Sequence, residues 1–234
     1  MQTPFTKSYH CICKPLLAKT LKKITMNKKK TIYHLVVDKS GSMSDCIAGT
    51  IEGFNEQLAS IRKLGEEFPE QEMVIGLTTF NGRVEHKFVC KPASEAYLMN
   101  RQNYVPSGST ALLDAIGQSI AMIDKEKAVA EQEMPTTVVM IILTDGYENC
   151  SKSYSHAEVQ QMIERRQETG SWTFSYLGAT LDAVDVAERL SIKRNNSISF
   201  EKGKIKTEIW DRVSLSMRDY SYKKEMNQDL SDLF

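Results

Sequence analysis

The 234-residue chain is expected to fold as an α/β protein: a doubly wound, mostly parallel six-stranded sheet with one antiparallel edge strand and helices on both faces. Three observations carry this. Short apolar runs alternate with stretches whose apolar residues recur every three or four positions. TTVVMIILTDG (136–146) is the unbroken apolar run that a strand buried on both faces needs. Asn81-Gly82 separates two strand-like runs, the signature of a hairpin.

TIYHLVVD (31–38) reads as the first strand. In 46–64, Ile47, Ile51, Phe54, Leu58 and Ile61 form one stripe of a helix. EMVIGLTTFN (72–81) is a second strand, and VEHKFVCK (84–91) pairs with it across the turn. Residues 92–109 are irregular. A helix opens at Thr110–Ala111 with Leu113, Ile116, Ile120 and Ile123 on one side, ahead of the central strand. Val159, Met162 and Ile163 mark the next helix. WTFSYLGA (172–179) is a strand, DAVDVAERL (182–190) a short helix and SISF (197–200) the last strand. Ile205, Ile209, Val213 and Met217 place a final helix over 204–226. The domain is thus expected over 31–226, between a basic extension (1–30, expected disordered) and a polar tail (227–234).

Formal net charge is zero but unevenly placed. The first 30 residues hold eight of the 30 basic side chains and no acid, leaving 22 basic against 30 acidic residues in the remainder. That acidic body disfavours a nucleic-acid surface. Met26 is the expected natural start, because few residues separate it from the first strand. No apolar stretch is long enough for a membrane span, and the leader lacks a signal-peptide pattern. Five cysteines, an odd number, and four scattered histidines argue for free thiols and against a zinc site. The cytoplasm is the expected location.

Ligands of such sheets bind beyond the carboxyl ends of the strands, near the point where strand order reverses. Asp38 ends the first strand and opens DKSGSM (38–43); Asp145 ends the central strand; Thr110 opens the helix before it. Three segments therefore bring oxygen donors to one edge. Taken singly, Ser40, Ser42 or Thr110 would pass as a helix cap and Asp145-Gly146 as a turn. Asp114 and Glu148 read as solvated acids, and Cys46 and Cys150 as inert thiols.

DKSGSM (38–43), GST (108–110) and TDG (144–146) resemble the three loops of the metal-ion-dependent adhesion site, or MIDAS, of von Willebrand factor A domains. FNEQL, YVPSGSTALLDAIG, LTDGYEN and WTFSYLGA are similar to a small cytoplasmic bacterial branch of that family. The resemblance implies a Rossmann-like fold and a metal held by Asp38, Ser40, Ser42, Thr110 and Asp145. Serines and threonine would touch the ion; the aspartates would bind it directly or through water. Five hard oxygen donors suit Mg²⁺, with Mn²⁺ second. Gly41 would let the backbone turn tightly enough to converge the hydroxyls.

With at most two carboxylates around it, the ion can accept an Asp or Glu from a protein partner. The expected function is a divalent-metal-dependent protein-binding module, an intracellular bacterial scaffold or regulatory protein, with no nucleic acid and no membrane as partner. No P-loop, nucleophile–base pair or GxSxG appears, so an enzyme is not expected. The alternative is a Mg²⁺-dependent phosphate-ester hydrolase built on Asp38, which would want a second carboxylate close by and a lysine further on.

Overall fold

A computed structural model describes residues 28–234. Met26, and the basic extension apart from its last three residues, lie outside the described residues. Lys29 and Lys30, assigned to that extension from sequence, belong to the first strand, β1 (Lys29–Asp38).

After β1 come a 3₁₀ turn (Gly41–Cys46) and helix α1 (Ile47–Glu67). Strands β2 (Gln71–Phe80) and β3 (Val84–Pro92) form the hairpin. Then follow α2 (Leu112–Ala130), β4 (Thr136–Thr144), α3 (His156–Gln167), β5 (Trp172–Gly178), α4 (Ala183–Arg189), β6 (Ser197–Ser199) and α5 (Asp211–Glu225). Strand order is β3-β2-β1-β4-β5-β6. All pairs are parallel except β2–β3. The order reverses between β1 and β4, which puts the ends of those two strands at the switch point.

Side-chain alternation divides the core. Tyr33, Leu35 and Val37 of β1 join Val139, Ile141 and Leu143 of β4 on one face, under Phe54, Leu58 and Ile61 of α1 and Val213 and Met217 of α5. Ile32 and Val36 share the other face with Val138, Met140 and Ile142, under Ile116, Ile120 and Ile123 of α2 and Val159 and Ile163 of α3. Asp38 has the parity of Ile32 and Val36. The β1–β4 register pairs Val36 with Ile142 and Val37 with Leu143. One step on, Asp38 falls beside Thr144, whose hydroxyl donates to its Oδ2 at 2.6 Å.

The final helix departs from expectation. Residues 204–226 are not one α-helix: a 3₁₀ turn (Lys202–Lys204) and a π turn (Ile205–Trp210) precede α5. Strict spacing by four drifts about 40° per step around a 3.6-residue helix. A wider first turn lets Ile205, Ile209, Val213 and Met217 all remain buried. Trp210 is 1% exposed. It lies over Gly53 and donates from Nε1 to Gly49 O at 3.2 Å.

Residues 227–234, read as a polar tail, lie against the domain. The Thr173 hydroxyl donates to Leu230 O at 2.7 Å, buried Asn196 accepts from Leu233 N at 2.7 Å, and the Leu233 side chain is buried.

Candidate functional site

Asp38 is fully buried where β1 ends. Its Oδ1 accepts from the Ser40 backbone N–H at 2.6 Å, and Tyr104 Oη donates to its carbonyl oxygen at 2.6 Å. Burial pushes the Asp38 carboxyl up to about 6, against the opposing pull of the Thr144 and Ser40 hydrogen bonds; the nearby Asp145 charge adds to the rise. A cation in this place would relieve the cost of the buried charge.

The capping role open to Ser40 is not taken up: it precedes the 3₁₀ turn without a side-chain cap bond. Its hydroxyl lies 3.1 Å from that of Ser42 instead. Ser42 in turn donates to Asp145 Oδ1 at 2.5 Å. Thr110 is not a cap either, since α2 is preceded by Ala111 and has no side-chain cap bond.

The three loops meet at Gly146. A Cβ built there would lie 3.3 Å from Thr110 Oγ1, 3.4 Å from Ser42 Oγ and 3.9 Å from Asp38 Oδ2. Oxygen atoms from two separate loops, 38–43 and 108–110, thus surround one point on the third loop that a side chain would fill. The Ser40 hydroxyl and Asp145 Oδ1 join this group through Ser42. The structure therefore brings together all five residues singled out from sequence. Their chemistry fits a hard divalent ion: neutral hydroxyls and two carboxylates, with no soft donor. Among the described residues, no group of three or more His, Cys, Asp and Glu side chains offers another metal site.

Loop conformation follows from backbone bonds. Gly41 N–H donates to Gly108 O at 3.0 Å and Ser107 N–H to Lys39 O at 2.8 Å. The glycine that takes up left-handed backbone is Gly108, at φ +77°, rather than Gly41. Gly41 serves the close approach of the two loops, which differs from the tight-turn role expected of it.

Two acids were misread as solvated. Asp114 is buried and accepts from the backbone N–H groups of Lys152, Ser153 and Tyr154 at 2.8–2.9 Å. Glu148, half-buried, accepts from Cys150 N, Ser151 N and Leu113 N at 2.7–2.9 Å. The Asn149 side chain accepts from Thr110 N at 2.9 Å, and Asn149 N–H donates to Thr110 O at 3.0 Å. These bonds lock the Thr110 loop to the Asp145 loop. Cys46 is buried, with its thiol pushed up to about 11 chiefly by burial, which matches an inert thiol.

Sequence reading missed Thr144, Tyr104, Asn149 and Lys202. Thr144 had a usable signal in its place beside Asp145; the others lie far along the chain from the groups they contact. Lys202 Nζ sits 2.5 Å from Asp145 Oδ2 as an ion pair and donates to Ser42 O at 3.0 Å.

The chain belongs to the von Willebrand factor type A domain family, which matches residues 34–206. Domains of this class are generally non-enzymatic interaction modules with a divalent-metal site. Three solved structures illustrate the likeness. Proximal thread matrix protein 1 from the mussel byssus, with a zinc-occupied MIDAS motif, is 14% identical with a TM-score of 0.53, over 78% of this chain and 46% of that one. A von Willebrand factor type A protein from Catenulispora acidiphila is 13% identical with a TM-score of 0.51, over 82% and 43%. The pilus adhesin SpaC from Lactobacillus rhamnosus GG, in its open conformation, is 15% identical with a TM-score of 0.57, over 86% and 30%. At such identities the likeness is one of fold. The chain spans less than half the length of each of these three. None of the curated proteins matches it.

Proposed function

We propose that the chain is a divalent-metal-dependent protein-binding module. Asp38, Ser40, Ser42, Thr110 and Asp145 hold Mg²⁺, or Mn²⁺ in its place, and the ion captures an Asp or Glu side chain of a partner protein. The observation that carries this reading is the convergence of the Thr110, Ser42 and Asp38 oxygens around Gly146. Bound there, the ion would supply a Lewis-acidic position for a carboxylate. The residues themselves keep the donors ordered and neutralise part of its charge.

We further place the protein in the bacterial cytoplasm as a scaffold or regulatory component. Support comes from the sequence resemblance and from the free thiols of Cys46, Cys90 and Cys150, which suit a reducing compartment. Phosphate-ester hydrolysis is the weaker reading. Asp38 is fully buried and both its carboxylate oxygens already accept hydrogen bonds, so it is poorly presented as a nucleophile.

The test is calorimetric titration of Mg²⁺ and Mn²⁺ into wild type, Asp145→Ala and Thr110→Ala, with pull-down of partners in Mg²⁺ against EDTA. Metal uptake by wild type alone, with partner recovery abolished by EDTA, is expected. Equal uptake by all three proteins, or recovery indifferent to EDTA, would refute the reading.

A further inference from the structure

The ion pair between Lys202 and Asp145 places a second cation at the proposed metal site. We propose that Lys202 is a tethered competitor of the divalent ion, holding Asp145 until the metal displaces it. The inference rests on the metal reading above.

Lys202 Nζ lies 2.5 Å from Asp145 Oδ2 and donates to Ser42 O at 3.0 Å, so it engages two of the three loops that carry the donor set. The other carboxylate oxygen, Oδ1, already accepts from the Ser42 hydroxyl. The ammonium is therefore the cation partner of the one Asp145 oxygen that accepts no hydrogen bond. The Asp145 side chain is fully enclosed, whereas that of Lys202 is one-third exposed. The lysine thus closes the outer side of the carboxylate and can leave into water, which the aspartate cannot.

Lys202 also has a fixed tether. Three residues on, Ile205 sits against Gly49 of α1, where an added Cβ would lie 2.2 Å from Ile205 Cγ2. Trp210 is seated against Gly53 in the same way. The segment entering α5 is held on α1 at these two points, which keeps the ammonium at high local concentration beside Asp145. A divalent ion bound to the Ser42 hydroxyl and Asp145 would meet a like charge within a few ångströms. Either the ion or the ammonium occupies Asp145, and metal binding releases Lys202.

The experiment is calorimetric titration of Mn²⁺ into the full chain as wild type, Lys202→Met and Lys202→Arg. Removing the charge is expected to tighten Mn²⁺ binding about two- to fivefold, the scale of a partly exposed ion pair. The arginine variant should stay within about twofold of wild type. Equal affinity in wild type and Lys202→Met overturns the competition and leaves the metal reading standing. Absence of Mn²⁺ uptake in every protein overturns both.

A second readout is acetylation of Lys202 by acetic anhydride, followed by mass spectrometry. Mn²⁺ should accelerate it in wild type, and Asp145→Ala should label fast with or without metal. Labelling of wild type that does not change at metal saturation counts against the proposal.

Discussion

Two glycines of the same helix should respond to alanine with opposite signs. In α1, a Cβ added at Gly53 would lie 1.7 Å from Trp210 Nε1, 2.0 Å from Cδ1 and 2.1 Å from Cε2. The indole ring would have to move. Trp210 is 1% exposed and its N–H donates to Gly49 O, so movement disturbs both packing and a hydrogen bond. Overpacking of a filled core costs about 1–3 kcal/mol, and a lost hydrogen bond about 1 kcal/mol. Alanine gains up to about 1 kcal/mol over glycine in a helix interior. Gly53→Ala should therefore destabilise by about 1–3 kcal/mol. At Gly65 the added Cβ meets Met73 Cγ at 3.8 Å, an ordinary contact. Gly65→Ala should keep the helix gain and stabilise by about 0.5–1 kcal/mol. Urea unfolding followed by circular dichroism, with unchanged m-values, gives both numbers. If Gly53→Ala proved as stable as Gly65→Ala, the seating of Trp210 on α1 would be wrong.

Three further outcomes are expected. His34 is fully buried beside the Thr78 hydroxyl, and burial lowers its pKa to about 3. The unfolded chain takes up a proton below about 6.5 and the folded one does not, so the contribution is full above that pH and falls away toward pH 3. The urea midpoint of wild type should drop more steeply than that of His34→Gln between pH 7 and 4.5.

Lys224 donates to Lys30 O, Thr31 Oγ1 and Thr137 Oγ1, and burial lowers its pKa to about 7. Here the unfolded chain holds the extra proton between about 7 and 10.4. Wild type should gain stability relative to Lys224→Met as pH rises from 7 to 9, by at most about 1.4 kcal/mol per pH unit. Asp114→Ala removes the acceptor of three backbone N–H groups. It should destabilise by about 2–4 kcal/mol in the same urea assay, and a change under 0.5 kcal/mol would contradict the role given to this carboxylate.

The parts legible in the sequence were those whose signal is local. Strand β4 announced itself because both its faces are buried, and the hairpin because Asn81-Gly82 sits between two strand-like runs. The five candidate ligands stood out because DKSGSM, GST and TDG together resemble the loops of one known site and lie in loops next to strand ends or ahead of a helix. The convergence of their oxygens needed the register of β1 on β4, which the apolar pattern alone does not state. Asp114 and Glu148 were misread because their partners are backbone amides, which leave no mark on residue identity. The start of the last helix was misread because spacing by four suits an α-helix and a π turn alike. Lys202 meets Asp145 across 57 positions, and nothing near either residue foretells the pairing.

The bonds between the Thr110 loop and the Asp145 loop have a kinetic consequence. Asn149, Glu148 and Asp114 make the two loops a single stiff jaw, ordered when the chain folds. An arriving ion would not have to gather its donors from mobile strands of chain. Once Lys202 has left Asp145, its entry would be governed by how fast it sheds water, a step that Mg²⁺ takes reluctantly. Exchange of one ion for another should then track the hydration of the ion far more than any motion of these two loops.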